Sequence, residues 1–147
     1  MAALASRLIG SWRLVSREDR TAAGERTVDP GLGADPVGLL IYDSGGNFAA
    51  QFMKRDRSGV APLTAARPGV NNSTAVSGYD AYFGTYTVDE TSGTVTQRLA
   101  GALSPGDVGK VVTREMRIDG DRLVIELATT GTEGEPIART LTWVRSG

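Results

Sequence analysis

The sequence predicts an all-β fold, an antiparallel up-and-down barrel of about eight to ten strands. Three observations point there. Apolar and polar residues alternate in short runs, the period of strands with one buried face. Glycine, with 19 residues, falls mostly between those runs, where the chain must turn. Gly10-Ser11-Trp12 starts the first run and Trp143-Val144-Arg145 ends the last, a pairing that suits a sheet closed on itself.

The elements follow in order. Ala2 to Ile9 is a short apolar segment, expected as a short N-terminal helix. The first strand runs from Gly10 to about Arg20. Its glycine lets the backbone turn in beneath Trp12, which plugs one end of the barrel. Thr21-Ala22-Ala23-Gly24 turns into a short strand, Glu25 to Asp29, and Pro30 to Pro36 is loop. Val37 to Tyr42 and Asn47 to Lys54 form a hairpin through Asp43-Ser44-Gly45-Gly46. Tyr82 to Asp89 and Thr94 to Leu103 form another through Glu90-Thr91-Ser92-Gly93. Lys110 to Ile118 and Arg122 to Thr129 form a third through Asp119-Gly120, the strongest hairpin signal in the chain. Ile137 to Arg145 closes the sheet and lays Arg145 across Trp12. Strands that join their neighbours favour an up-and-down barrel over a Greek-key sandwich. Arg55 to Tyr79 is too long for an ordinary connection. Asn72 or Ser73 can cap a short helix reaching about Tyr79. The segment reads either as a lid over the barrel mouth or as a mobile surface loop.

Composition excludes several function classes. At 147 residues the chain is expected to form a single domain over 1–147. A net charge of −1 gives no electrostatic reason to expect nucleic acid or an anionic membrane as partner. There is no cysteine and no histidine, so disulfides, thiolate chemistry and a histidine-based triad are excluded, and no metal site is expected. No cofactor is expected either. Any general acid or base must be Asp, Glu, Tyr or Lys. No signal peptide or membrane span is read at the N-terminus, and a cytoplasmic location is expected. A homodimer is left open.

Alternation assigns the inward faces. With Trp12 inward, Leu14, Ser16 and Glu18 follow it. Val112, Arg114, Met116 and Ile118 share one face, and Leu123, Ile125 and Leu127 share the next. Arg139, Leu141, Trp143 and Arg145 line the closing strand. Tyr82, Gly84, Tyr86 and Val88 face in, as do Val95, Gln97 and Leu99. The 37–54 hairpin is apolar on both faces; Phe48, Ala50 and Phe52 are taken as inward, with Gln51 outward. The expected lumen is apolar and aromatic with sparse polar groups, the profile of a small-molecule pocket. Phe52, Tyr82, Tyr86, Gln97, Arg114, Met116, Ile125 and Trp143 are the candidate ligand-binding residues, with Trp12 and Arg145 structural. A buried Arg114 needs a counterpart. The sequence allows an anionic ligand, an internal pair with Glu18 or Glu126, or a cap against tyrosines.

Several stretches together resemble the bacterial lipocalin-like domain family of small stand-alone barrels. They are Leu8 to Ser16, Asp35 to Tyr42, Gln51 to Arg57, Tyr82 to Asp89, Gly93 to Thr96, Asp119 to Leu123 and Trp143 to Arg145. They run in order along nearly the whole chain. The resemblance implies the barrel fold and, since most such domains have no assigned activity, little about function. The family's pattern often carries histidines after Gly93-Thr94-Val95-Thr96 and near Asn47; here Gln97, Arg98 and Asn47 stand instead.

Three functions compete. The first is a barrel that binds a small apolar molecule bearing a carbonyl or carboxylate. The second is a cofactor-independent cyclase or isomerase acting on a natural-product, polyketide-like intermediate by enclosing it. There Tyr82 or Tyr86 would donate a proton, Arg114 would polarise a carbonyl and Glu18 would act as base. The third is a stress or assembly domain with a filled barrel; Ala50 and Gly84 on lumen faces favour an open cavity over this one.

Overall fold

The computed structural model describes residues 3–58 and 75–146. Its elements are α1 (Leu4–Leu8), β1 (Gly10–Thr21), β2 (Arg26–Thr27), β3 (Val37–Tyr42), β4 (Asn47–Met53), β5 (Tyr79–Asp89), β6 (Thr94–Ala102), β7 (Val111–Asp119), β8 (Arg122–Thr130) and β9 (Pro136–Arg145). A 3-10 turn over Pro105–Asp107 joins β6 to β7. Every pairing is antiparallel. From β3 to β9 each strand pairs with the next, and β9 returns to pair with β1. Eight strands therefore close the barrel, and β2 is an extra strand on the upper end of β1.

The turns carry the sequence signals that predict them. Asp43 Oδ1 accepts the backbone N–H groups of Gly45 (2.9 Å) and Asn47 (2.8 Å), which folds the β3–β4 turn over its own side chain. Gly84 sits at an irregularity in the β5–β6 register, and a Cβ there would lie 1.8 Å from the Arg98 carbonyl oxygen. Only glycine permits that approach.

One end of the barrel is closed by α1. Trp12 is fully buried there and its Nε1 donates to the Leu8 carbonyl (2.9 Å). The Arg145 guanidinium lies 4.2 Å from the Trp12 ring centroid and donates to the carbonyls of Ile9 (3.0 Å) and Arg7 (2.5 Å). At the other end of the helix, the Glu90 carboxylate accepts the N–H groups of Leu4 (2.8 Å) and Ala5 (3.0 Å). A cation thus meets the helix's free carbonyls and an anion its free N–H groups, as the helix dipole favours. Gly10 belongs to the same device. Its φ is +132°, and a Cβ would lie 2.8 Å from Arg145 Nη1.

The opposite end is built differently. β3 pairs with β1 only over Gly10 to Arg13, so the two strands separate above that point. The 28–36 loop lies over this gap and buries Leu32. Between Leu14 and Ser16 the β1–β9 register shifts by one residue: Leu14 faces Trp143, Ser16 faces Thr142, and Val15 is the extra residue. That shift reverses the facing of the upper half of β1. Arg17 and Asp19 turn inward while Ser16 and Glu18 turn out.

Three expectations need correction. Ser16 and Glu18 do not follow Trp12 into the lumen, because alternation does not survive an inserted residue. Tyr79 opens β5 and bridges back to Val76, so no helix ends there. The strand expected over Glu25 to Asp29 is only Arg26–Thr27. The centre of the proposed lid, 59–74, lies outside the described residues. The inward set on β4 is Phe48, Ala50 and Phe52, with Gln51 exposed.

Replacing Trp12 by Ala removes the plug, the stacking partner of Arg145 and a buried hydrogen bond together. Denaturant unfolding is expected to show a loss of ~3–5 kcal/mol, the range for large-to-small core changes. Unchanged stability would contradict the plug.

Candidate functional site

The lumen above the Trp12 plug holds the candidate site. Its wall is apolar through Leu40, Phe52, Ile125, Leu127, Leu141 and Trp143, with Leu32 over the top. Polar side chains interrupt it: Arg17 from β1, Tyr42 from β3, Asp80 and Tyr82 from β5, Gln97 from β6, Arg114 from β7 and Arg139 from β9. The cavity left between these side chains has a volume of about 40 Å³, so an occupant larger than a few waters must displace side chains of the wall.

Two layers of polar contacts organise it. In the middle layer Gln97 Nε2 donates to the Tyr42 hydroxyl (2.7 Å), which points on to Met116 Sδ (3.9 Å). Arg114 donates to the Thr113 carbonyl (2.9 Å) and shares a hydrogen bond with the Tyr82 hydroxyl. Burial pushes the Tyr42 and Tyr82 hydroxyls above the ordinary tyrosine value, so both stay protonated. Burial also pulls Arg114 down from the ordinary guanidinium value, with Tyr82 and Tyr42 opposing.

Nearer the mouth lies an ion-pair network. Arg139 makes a bidentate pair with Asp19 (2.8 and 2.9 Å), its cross-strand neighbour. Arg17 pairs with Asp29 (3.1 Å), which also lies 4.0 Å from Arg139. Burial and the neighbouring Arg139 charge lower the Arg17 pKa, and Asp29 and Asp19 offset part of this. Asp80 is 4% exposed, and burial raises its carboxyl from 3.8 to about 7 even though Arg17 and Arg139 favour its charged form.

Phe52, Tyr82, Gln97, Arg114, Ile125 and Trp143 lie together on the cavity wall. Met116 packs just outside it, under Tyr42. Tyr86 takes an inward strand position, but its hydroxyl donates to the Asp43 carbonyl (2.8 Å) and its ring packs edge-on against Tyr42 (4.8 Å). It therefore belongs to the closed end and not to the cavity. Glu18 is excluded as a lumen base: it lies on the outer face and pairs with Arg20 and with Arg26 (3.4 Å). Glu126 is also outside, paired with Arg117 (2.7 Å), so neither glutamate is the internal partner of Arg114.

Sequence reasoning missed Arg17, Asp19 and Asp80. The run Arg17-Glu18-Asp19-Arg20 carries charge on both faces, so no apolar pattern reports its parity. Asp80 precedes the expected start of its strand. Tyr42 was signalled by the alternation Leu40, Tyr42 opposite Phe48 and Ala50, and was hidden by the apolar outer face of the same hairpin. Among the described residues no group of three or more acidic side chains converges as a metal site requires, and no helix is long and apolar enough to cross a membrane.

The raised Asp80 value makes stability depend on pH. The folded state holds this proton more tightly than the unfolded chain, so the contribution is full below about pH 4 and is lost as pH rises through about 7. Asp80→Asn is expected to flatten the fall between about pH 4 and 7. At pH 8 it should be more stable than wild type by roughly 1–3 kcal/mol. Parallel pH–stability curves for the two proteins would contradict the assignment.

The family-model comparison accords with this architecture. The model of a lipocalin-like domain matches residues 9–146, from the residue before Gly10-Ser11-Trp12 to just past Arg145. No curated protein matches the chain. A match over nearly the whole chain, together with the closed barrel, places the protein in the lipocalin-like domain family.

Proposed function

We propose that the barrel binds a small apolar molecule in its lumen and orients it through a carbonyl or carboxylate group directed at Arg114. The observation that carries this is the placement of Arg114 and Tyr82 on the wall of a cavity lined also by Leu32, Leu40, Phe52, Ile125, Leu141 and Trp143. Apolar walls supply affinity, and the few polar groups supply orientation. A guanidinium has donors only, and the Tyr82 hydroxyl that accepts from Arg114 keeps its own O–H to donate, a pair that favours an acceptor oxygen on the ligand.

A second reading is favoured by Asp80. A carboxyl with a pKa of about 7, on the same wall as Tyr82 and Arg114, is suited to moving a proton. In that reading the barrel is a cofactor-independent isomerase or cyclase, with Asp80 in the role first given to Glu18 and Arg114 polarising the carbonyl.

Native mass spectrometry of freshly purified protein is expected to show a retained small molecule, and added 2-naphthoate is expected to bind. Arg114→Met keeps the apolar stem and removes the donors. It should weaken 2-naphthoate binding by ~1.5–3 kcal/mol, the range for hydrogen bonds to charged groups, with the fold intact. Wild-type affinity in Arg114→Met would overturn this orientation. For the enzyme reading, the retained molecule is incubated with protein in D2O. Deuterium entering a carbon–hydrogen bond with wild type but not with Asp80→Asn would establish proton transfer; no incorporation leaves the binder.

A further inference from the structure

Three buried side-chain polar atoms among the described residues have no hydrogen-bond partner: Arg17 Nη1, Trp143 Nε1 and Gln97 Oε1. Such orphans are uncommon among buried polar atoms, and each calls for a partner beyond the protein's own groups. All three belong to side chains on the wall of one cavity. They divide by chemistry and by position. Arg17 and Trp143 offer donors, and they stand on β1 and β9, which pair with each other. Gln97 offers an acceptor, since its amide N–H is already given to Tyr42. It stands on β6, which is four strands from β1 in either direction around the closed barrel. The donors and the acceptor therefore face each other across the lumen.

We propose that the ligand is a hydroxylated carboxylate, its carboxylate held between Arg114 and the orphaned donors of Arg17 and Trp143 and its hydroxyl donated to Gln97 across the barrel. This rests on the binding reading above and specifies the substrate class for it. An acceptor-only ligand satisfies the donors and leaves Gln97 Oε1 stranded. A hydroxyl-only ligand leaves two donors stranded, one of them charged. A compound with both groups at opposite ends of an apolar body satisfies all three atoms. Charge agrees in sign, since the wall carries the guanidinium groups of Arg17, Arg114 and Arg139. Arg17 is then a specificity-determining residue that strand alternation alone places on the wrong face.

The test uses three rigid probes with the same apolar body: 6-hydroxy-2-naphthoate, 2-naphthoate and 2-naphthol, titrated calorimetrically into wild type and variants. Wild type is expected to bind 6-hydroxy-2-naphthoate at least fivefold more tightly than either of the others. Gln97→Leu should abolish its advantage over 2-naphthoate and keep its advantage over 2-naphthol. Arg17→Met should do the reverse. Trp143→Phe removes the N–H together with the pyrrole half of the indole and leaves both ion pairs in place, so it gives the same readout as Arg17→Met without disturbing the buried charges. Equal affinity of wild type for all three probes would overturn the two-ended recognition and leave the apolar binding site standing. Advantages unaltered by Gln97→Leu and by Trp143→Phe would overturn the assignment of these atoms. Failure of all three probes to bind would remove both this inference and the binding reading beneath it.

Discussion

The register shift at Val15 sets the character of the lumen, because side chains on a strand alternate with a period of two and an inserted residue reverses every facing beyond it. Below the shift β1 contributes Trp12 and Leu14 to an apolar interior. Above it the strand contributes Arg17 and Asp19. Without the extra residue, the upper lumen would receive Ser16 and Glu18, with Glu18 in place of Asp19 opposite Arg139, and Arg17 would turn to the outer face. The same shift thus determines which charges are buried, which can pair, and where donors meet the cavity. Burying two ion pairs is costly, and well-packed apolar residues would often serve stability as well. Their retention at the mouth is better explained by what they hold in position than by what they add to the fold.

The two ends of the barrel are stabilised by different physics. At the closed end, Trp12, Arg145 and Glu90 fix a helix too short to persist alone. Each of its exposed backbone ends meets a side chain of the appropriate charge. Contacts there are satisfied and the tryptophan is completely buried. At the mouth, β1 and β3 have parted, a loop residue fills the gap, and the buried groups include a carboxyl close to neutrality. Rigidity at one end and incompletely matched polarity at the other is a sensible division for a container.

Much of the fold was legible because each hairpin carries both its alternation and its turn chemistry locally. Asp43-Ser44-Gly45-Gly46, Glu90-Thr91-Ser92-Gly93 and Asp119-Gly120 each mark a reversal, and the strands between them have one clearly apolar face. The stacking of Arg145 on Trp12 followed from the two ends of a sheet that closes. The mouth was less legible. A bulge leaves no signature in a run such as Arg17-Glu18-Asp19-Arg20, where both faces are charged and neither parity looks wrong. Tyr86 misled for another reason: alternation reports the face of a strand but not the height at which a side chain sits, and this one sits beneath the cavity among the turn carbonyls. Asp80 lies where β5 extends beyond its apolar pattern, and its burial comes from neighbours distant in sequence.

The lumen is at once the hydrophobic core and the binding cavity, so Phe52, Leu141 and Trp143 serve both. Core and site are therefore coupled thermodynamically. A ligand bound as proposed would cover apolar wall that the unfolded chain does not offer it. By linkage, an occupant present at a hundred times its dissociation constant adds about 2.7 kcal/mol to the folded state. That is a sizeable share of the total stability of a domain of this size. On the proposed binding reading, the ligand completes the interior of this barrel, and its abundance governs how much folded protein persists.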